Sequence, residues 1–261
     1  MTRLMLDAAH RLAHALSALR PDARSAISVH SLTPDGRSWL LHAEQWWPDV
    51  EVRALWASRP LDPTKGRIMG RDILFPRRTA AFGVDYKYTG QTQMSRPLDE
   101  APEAVHAVVA ALQQVDSRWN ALLLNWYEAC DREYMGPHSD DERELVGGAP
   151  IVSLSWCSPG HYRRFRLTPK RGVKDALQPG WGHGPGVLHL HHGCLVVMGG
   201  ACQRTHKHEV MKPTKALGEC EGRRINLTLR AFGDAAARSS VKRRHEDLDS
   251  SPETMQPQNL E

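Results

Sequence analysis

The sequence predicts an α+β fold in which closely spaced strands form a sandwich or barrel behind N-terminal helices. Three observations carry that expectation. Helix-spaced apolar patterns are confined to the first 115 residues. From about residue 120 the apolar period changes to two. The period-two runs are short, follow one another closely and are separated by glycine and proline.

Taken in order, MTRLMLDAAHRLAHALSALR places apolar residues at helical spacing and stops at Pro21. It lacks the solid apolar core and small-residue cleavage site of a secretory signal. One acid and three arginines in those twenty residues leave a transit peptide open, although Asp7 and the two histidines suit an amphipathic helix. Residues 25 to 70 give mixed signals. Trp39, Trp46, Trp47 and Trp56 supply bulk, and WWPDVEVRALWAS suggests a helix begun near Pro48. RPLDPTKGRIMGRD reads as loop. Residues 1–70 are therefore expected to be an N-terminal, largely helical extension. LDEAPEAVHAVVAALQQV, 98 to 115, is the clearest helix. Val105, Val108, Val109, Leu112 and Val115 recur three and four apart, and Asp99 and Glu100 occupy the first turn.

The strand-like runs are NALLLNWYEA, PIVSLSW, RRFRLTP, VLHLHHGCLVVMGG and RRINLTLRAF. They place one domain at 71–233. From 234 the chain is polar and rich in Ser, Glu and Gln, the composition of a disordered tail.

The gross numbers agree with one large soluble domain: 261 residues, 41% apolar and 25% charged. No apolar run reaches the roughly 18 residues that a membrane span needs, so no membrane partner is expected. Five scattered cysteines without a CxxC pair read as reduced thiols of an intracellular protein. A net charge of +4 permits a polyanionic partner without demanding one.

Two stretches carry candidate chemistry. In GPHSDDERELVGGAP, His138 and Asp140 are two apart, so in an extended segment they point the same way. A facial iron site needs two imidazoles and a carboxylate on one side of the ion. His-x-Asp supplies two of the three, and a distant histidine must supply the third. Alone the pattern is weak, because fourteen histidines give on the order of one His-x-Asp by chance. In RRINLTLRAF, Ile225, Leu227 and Leu229 face one side of a strand, and Arg224, Asn226, Thr228 and Arg230 face the other. On the outside of a sheet that is an ordinary amphipathic strand. Inside a barrel the two arginines need anionic partners, and a small dicarboxylic acid could supply one carboxylate to each. NWY has the same character, with Asn125 and Tyr127 on one face.

The order NWY, HSDDERE, PIVSLS, LHHGCLVVMGGACQRTHKHEV, RRINLTLR resembles the AlkB family of Fe(II)/2-oxoglutarate dioxygenases, most closely its alkylated-DNA-repair branch. FPRRTAAFGVDYKYTG upstream is similar to that branch as well. The resemblance runs from about 72 to 233. It implies a double-stranded β-helix, or jelly roll, braced by N-terminal helices. It implies Fe(II) held by His138, Asp140 and His208, with His206 as the alternative third ligand. It implies 2-oxoglutarate held by Asn125, Tyr127, Arg224, Asn226 and Arg230, with O2 as the second cosubstrate. Tyr86, Tyr88 and Glu142 correspond to positions lining a base pocket, and Arg77 to a basic residue near the DNA backbone. Arg78, Arg163 and Arg164 favour a phosphate partner mildly.

The activity implied is oxidative removal of methyl groups from 1-methyladenine and 3-methylcytosine in DNA. Formaldehyde is released as 2-oxoglutarate and O2 become succinate and CO2. The same chemistry on RNA, 5-methylcytosine or a protein side chain is the nearer alternative, and a non-catalytic nucleic-acid reader the more distant one. A monomer in the nucleus or cytoplasm is expected, with an organelle left open. Cys157 stands where the family's pattern has glycine, Met211 replaces a common proline, and residues 1–70 do not align with the family.

Overall fold

In the computed structural model the described residues are 2–233, apart from 69, 89–90, 129, 131, 141–143, 178–181, 184–185 and 215–221. For 2–5, 67–68, 86–88 and 91–93 only the backbone is described. The chain opens with α1 (Thr2–Leu19), then β1 (Ser28–Ser31) and β2 (Ser38–Ala43), then α2 (Val52–Ala57). Five short strands follow: β3 (Lys65–Ile68), β4 (Arg71–Leu74), β5 (Arg78–Phe82), β6 (Tyr86–Tyr88) and β7 (Gln91–Gln93). After α3 (His106–Val115) come β8 (Ala121–Tyr127), β9 (Met135–His138), β10 (Ile151–Cys157), β11 (Arg163–Pro169), β12 (Val187–Leu190) and β13 (Cys194–Gly200). A single turn, α4 (Cys202–Thr205), leads into β14 (His206–Val210), and β15 (Arg224–Arg230) closes the described fold.

Two sheets make the body of the molecule. The major sheet has seven strands in the order β1-β2-β13-β10-β15-β8-β5, and the minor sheet four in the order β12-β11-β14-β9. Every pairing within them is antiparallel. This two-sheet arrangement, with crossovers between non-consecutive strands, is the expected jelly roll.

The predicted strand runs match β8, β10, β11, β12 with β13, and β15. The expected helix over 98–115 is shorter. Leu98–Glu100 and Glu103–Val105 are 3-10 turns, and only His106–Val115 is α-helical. Pro102 explains the break: it forces Ala101 into an extended conformation with ψ 153. The expectation of a helical segment over residues 1–70 fits α1 and α2 but misses β1 and β2, which add to the edge of the major sheet through β2 against β13. Gly199 allows this, because a β-carbon there would collide with the ring of Trp39, its partner on β2.

The two faces of the major sheet serve different ends. On the outer face Val152, Leu154, Leu122, Leu124, Leu195, Val197, Ile225, Leu227 and Leu229 join Ala9, Leu16, Leu55, Val108 and Leu112 from the helices in one core. Three buried tryptophans fasten this core to the surrounding loops. Trp126 Nε1 donates to the Leu55 carbonyl at 3.0 Å, Trp119 Nε1 to Pro150 at 2.8 Å, and Trp156 Nε1 to Trp47 at 2.8 Å. Between the two sheets, Ile151, Val196 and Met198 of the major sheet meet Phe165, Leu167, Leu188 and Leu190 of the minor sheet. That apolar plug fills only part of the interior. The rest is lined by polar side chains of β8 and β15. Among the described residues no helix is long and apolar enough to cross a membrane.

Leu227 is fully buried at the centre of the outer core. Leu227→Ala should lower unfolding stability by about 2–5 kcal/mol in urea titrations. A loss below about 1 kcal/mol would mean that this face of β15 is not packed as described.

Candidate metal centre

β15 presents Arg224, Asn226, Thr228 and Arg230 to the space between the sheets, and all four are buried. Strand alternation sends Ile225, Leu227 and Leu229 to the opposite core, so the polar face is the inward one. β8 lies alongside in register, with Asn125 opposite Asn226 and Tyr127 opposite Arg224. Asn125 and Tyr127 therefore line the same cavity.

The polar floor is a connected network. Asn226 Nδ2 donates to Ser153 Oγ at 2.8 Å and to the Leu154 carbonyl at 2.9 Å. Thr228 Oγ1 donates to Asn226 Oδ1 at 2.9 Å, and Arg77 Nε donates to Asn125 Oδ1 at 3.2 Å. Arg224 Nε donates to Ser155 Oγ at 3.0 Å, and its guanidinium lies 5.1 Å from the Tyr127 ring centre. Its Nη1 is buried with no hydrogen-bond partner among the described residues, and no acidic side chain there pairs with it. A buried guanidinium with an open N–H is costly unless an anion completes it, so this corner fits a carboxylate.

Across the cavity, His138 ends β9 and His208 sits in the middle of β14, directly opposite it in register. Asp140 follows two residues after His138. One ligand atom from each of His138, Asp140 and His208 lies within 4.8 Å of the other two. The rings of the two histidines are 4.2 Å apart. His138 Nδ1 donates to the Gly136 carbonyl at 2.9 Å. That bond fixes the tautomer and leaves the Nε2 lone pair, 3.6 Å from Asp140 Oδ1, facing the gap.

Burial pushes His208 down to about 3, with the charge of His138 adding to the effect, so its imidazole is neutral and able to ligate. Burial alone would raise Asp140. The positive charge of Arg230 overrides it and, with the neighbouring imidazoles, holds the carboxyl well below the usual carboxylate range. Two neutral imidazoles and one carboxylate around an open side are the donor set that a facial iron site requires, so these residues fit Fe(II).

His206 is on the same face of β14 but one repeat further along. It pairs with Pro169 of β11 and lies past the end of β9. Its Nδ1 is 2.8 Å from Thr205 Oγ1, and it is not part of the three-residue cluster. Of the two third-ligand candidates, the geometry brings only His208 to the other donors.

The other expected site residues have varied surroundings. Arg230, expected to hold a cosubstrate carboxylate, lines the same cavity and pairs with Asp140 Oδ2 at 3.0 Å. Arg77, expected near a DNA backbone, is buried, stacks at 5.1 Å on Phe75 and faces Asn125. Arg163 is fully buried, donates to the Glu133 carbonyl and lies 5.7 Å from the Tyr127 ring centre. Arg78 pairs with Glu133 at 3.0 Å, and Arg164 donates to the Lys212 carbonyl. Tyr86 and Tyr88 belong to β6, where only the backbone is described, and Glu142 lies outside the described residues.

Two positioning residues had no role in the sequence reading. Gln203 Oε1 accepts from the Asp140 backbone N–H at 2.9 Å, and Ser139 Oγ donates to the His206 carbonyl at 2.8 Å. Together they tie the loop carrying Asp140 to the α4–β14 corner. The only trace of Gln203 in the sequence is its place in GGACQRTHKH, three residues before His206.

The comparisons with known proteins fit this geometry. Residues 54–230 match the 2OG-Fe(II) oxygenase superfamily. A protein named DNA oxidative demethylase ALKBH2 from Arabidopsis thaliana is 35% identical over 185 residues, which are 63% of this chain and 55% of that protein. Its namesake from Homo sapiens is 29% identical over 63% of this chain and 59% of its own length. The one from Mus musculus is 29% identical over 64% of this chain and 66% of its own length. The chain thus spans little more than half to two thirds of these relatives. Among solved structures, that of OsALKBH1 overlays 78% of this chain at 17% identity and a TM-score of 0.43. With a match that covers most of the jelly roll and the donor set in place, the chain belongs to the 2OG-Fe(II) oxygenase superfamily, within its AlkB family.

Proposed function

We propose that this chain is an oxidative demethylase that repairs N-alkylated bases, 1-methyladenine and 3-methylcytosine, in DNA. The observation that carries the proposal is the pairing of two features in one cavity. These are the His138, Asp140 and His208 donors and, facing them, the open N–H of buried Arg224. The names of the relatives support the substrate class.

When bound with 2-oxoglutarate and O2, Fe(II) supplies the oxidising power for hydroxylation of an N-methyl carbon. The rest is work for the chain. His138, Asp140 and His208 hold the metal. His138 is oriented by its bond to Gly136, and Asp140 by Arg230 and Gln203. Arg224 takes one carboxylate of 2-oxoglutarate, with Ser155 and the Tyr127 ring fixing its plane. Asn125 and Asn226 supply polar contacts beside it. The substrate base reaches the open side of the centre flipped out of its stack, which costs least for a damaged pair. Tyr86, Tyr88 and Glu142 are proposed to receive it, since an aromatic pocket with a carboxylate suits a cationic methylated base. Hydroxylation leaves an N-hydroxymethyl group. Its C–N bond breaks to give formaldehyde and the repaired base, while 2-oxoglutarate and O2 are converted to succinate and CO2.

The direct test measures succinate and formaldehyde released from oligonucleotides carrying 3-methylcytosine or 1-methyladenine, single- and double-stranded, beside methylated RNA. Turnover on the DNA substrates is expected. Absence of turnover on every oligonucleotide, with iron and ascorbate present, would sink the repair reading. Turnover on RNA alone would keep the chemistry and overturn the substrate.

The ligand set is tested by titrating Fe(II) anaerobically into two variants. His208→Ala should abolish tight binding, and His206→Ala should leave it within a few-fold. The reverse pattern would assign the third ligand to His206.

Arg224→Ala should raise KM for 2-oxoglutarate by about 30-fold or more, the loss of a charge-assisted bond worth about 2–3 kcal/mol. The effect on kcat in saturating cosubstrate should be smaller. An unchanged KM would remove Arg224 from the cosubstrate site.

A further inference from the structure

We propose that His183, His189 and His191 form a second metal site, separate from the iron centre, that takes a divalent cation of the zinc type. One ring nitrogen from each lies within 4.8 Å of the others. Backbone geometry holds them there. His189 points outward from β12, between the buried Leu188 and Leu190. His191 follows at the strand end, its N–H 3.2 Å from the His189 carbonyl. His183 is brought back over the strand by Gly182, bridged to Val187, and by its own N–H donating to the Val187 carbonyl at 2.8 Å.

None of the three imidazoles has a ring nitrogen in a hydrogen bond to any of the described residues. Their neighbour His192 behaves differently. It contacts the carbonyls of Cys157 and Pro48 through its two ring nitrogens, at 3.1 and 2.7 Å. His192 is a structural histidine and the other three are not. The His183 and His189 rings stack 3.6 Å apart at 6°, and Tyr162 stacks on His189 at 3.9 Å and 13°. Two imidazoliums stacked this closely would repel each other, so the His183–His189 stack disfavours charging both rings. Burial, and then the proximity of His183 and His191, push His189 down to about 4, and His191 is also lowered. The lone pairs of His189 and His191 are thus available at neutral pH. The Glu44 carboxylate lies close enough for its charge to act on His191, and His42, nearby on β2, has a buried Nε2 with no partner among the described residues.

The donor chemistry selects the cation. Three imidazoles without a thiolate or a set of oxygens suit zinc, nickel or copper, not magnesium or calcium. Tetrahedral zinc binds with Zn–N of about 2.0–2.1 Å, and two parallel stacked rings cannot both aim their in-plane lone pairs at one ion. The stacked pair must open, with the ring of exposed His183 turning about its last torsion, which is soft. Three protein ligands leave the fourth position to water. β12 is one edge of the minor sheet, and β9, which carries His138, is the other. His208 of the iron centre lies on β14, so one strand, β11, stands between the sites, about 10 Å at the usual strand spacing. A cation at the histidine cluster would fasten the backbone at Gly182 and His183 to an edge strand and take no part in the chemistry at the iron centre.

The test uses the full-length chain without a polyhistidine tag, stripped with chelator and titrated with zinc at micromolar concentration, followed by calorimetry and metal analysis after gel filtration. His138→Ala with His208→Ala removes two of the three iron donors, keeps the buried Arg230–Asp140 pair, and should leave this zinc in place, with a raised Tm on zinc addition. Adding His189→Ala and His191→Ala to that background should remove one zinc per chain and abolish the rise. Because those two positions touch β12, the exposed His183→Ala is the second variant. It should weaken the same binding about tenfold or more without altering the zinc-free Tm. Equal stoichiometry with and without His189 and His191, or unchanged affinity in His183→Ala, would overturn the proposal.

Discussion

The buried pair of Arg230 and Asp140 is the interaction on which the rest of the interior depends. Both side chains are almost wholly withdrawn from solvent, at 8% and 4% exposure, and meet at 3.0 Å. Neither could be buried alone, since breaking a buried pair typically costs about 3–5 kcal/mol. Their meeting joins the last residue of β15, in the major sheet, to the loop after β9, at the edge of the minor sheet. It therefore closes the jelly roll at the end where the metal donors stand. It also keeps Asp140 ionised in a place where burial would otherwise protonate it.

The same strand divides the labour of the fold. The odd-numbered residues of β15 pack against α1, α2 and α3, and the even-numbered ones face the cavity. A one-residue slip of β15 against β8 would put Leu227 among the polar groups and Asn226 into the apolar core. The seven paired positions with β8 and six with β10 prevent this. Register is thus the link between stability and chemistry: the burial of the three aliphatic side chains is what aims the two arginines.

Much of this was legible in the sequence, because β15 alternates cleanly and HSD stands beside a glycine- and proline-rich break. The inward choice for the polar face was not, since alternation alone cannot say which side is solvent. What remained hidden has identifiable physical causes. β1 and β2 are short, and SWLLHA lacks alternation because it is buried on both faces. β14, HKHEV, carries too many polar residues to read as a strand, yet its histidines and Glu209 are buried. Arg77 and Arg163 looked like surface cations. Their burial comes from partners far away in sequence, Asn125 for the first and the Glu133 carbonyl for the second. Ala101 was lost to the helix because a proline acts on the residue before it.

The two histidine clusters show why spacing alone could not rank them. His138 and Asp140, like His189 and His191, are separated by one residue near the end of a strand. Near the first pair the chain supplies a buried cation, a fixed tautomer and a third donor in cross-strand register. Near the second it supplies rings that stack on one another and on a tyrosine, with one carboxylate within reach. A negatively charged donor beside a buried arginine favours a hard, redox-active ion with open positions. An uncharged imidazole cluster on a sheet edge favours a borderline ion that only fastens. The difference between the two sites therefore lies in their surroundings, in the charge that the fold places beside each pair of donors.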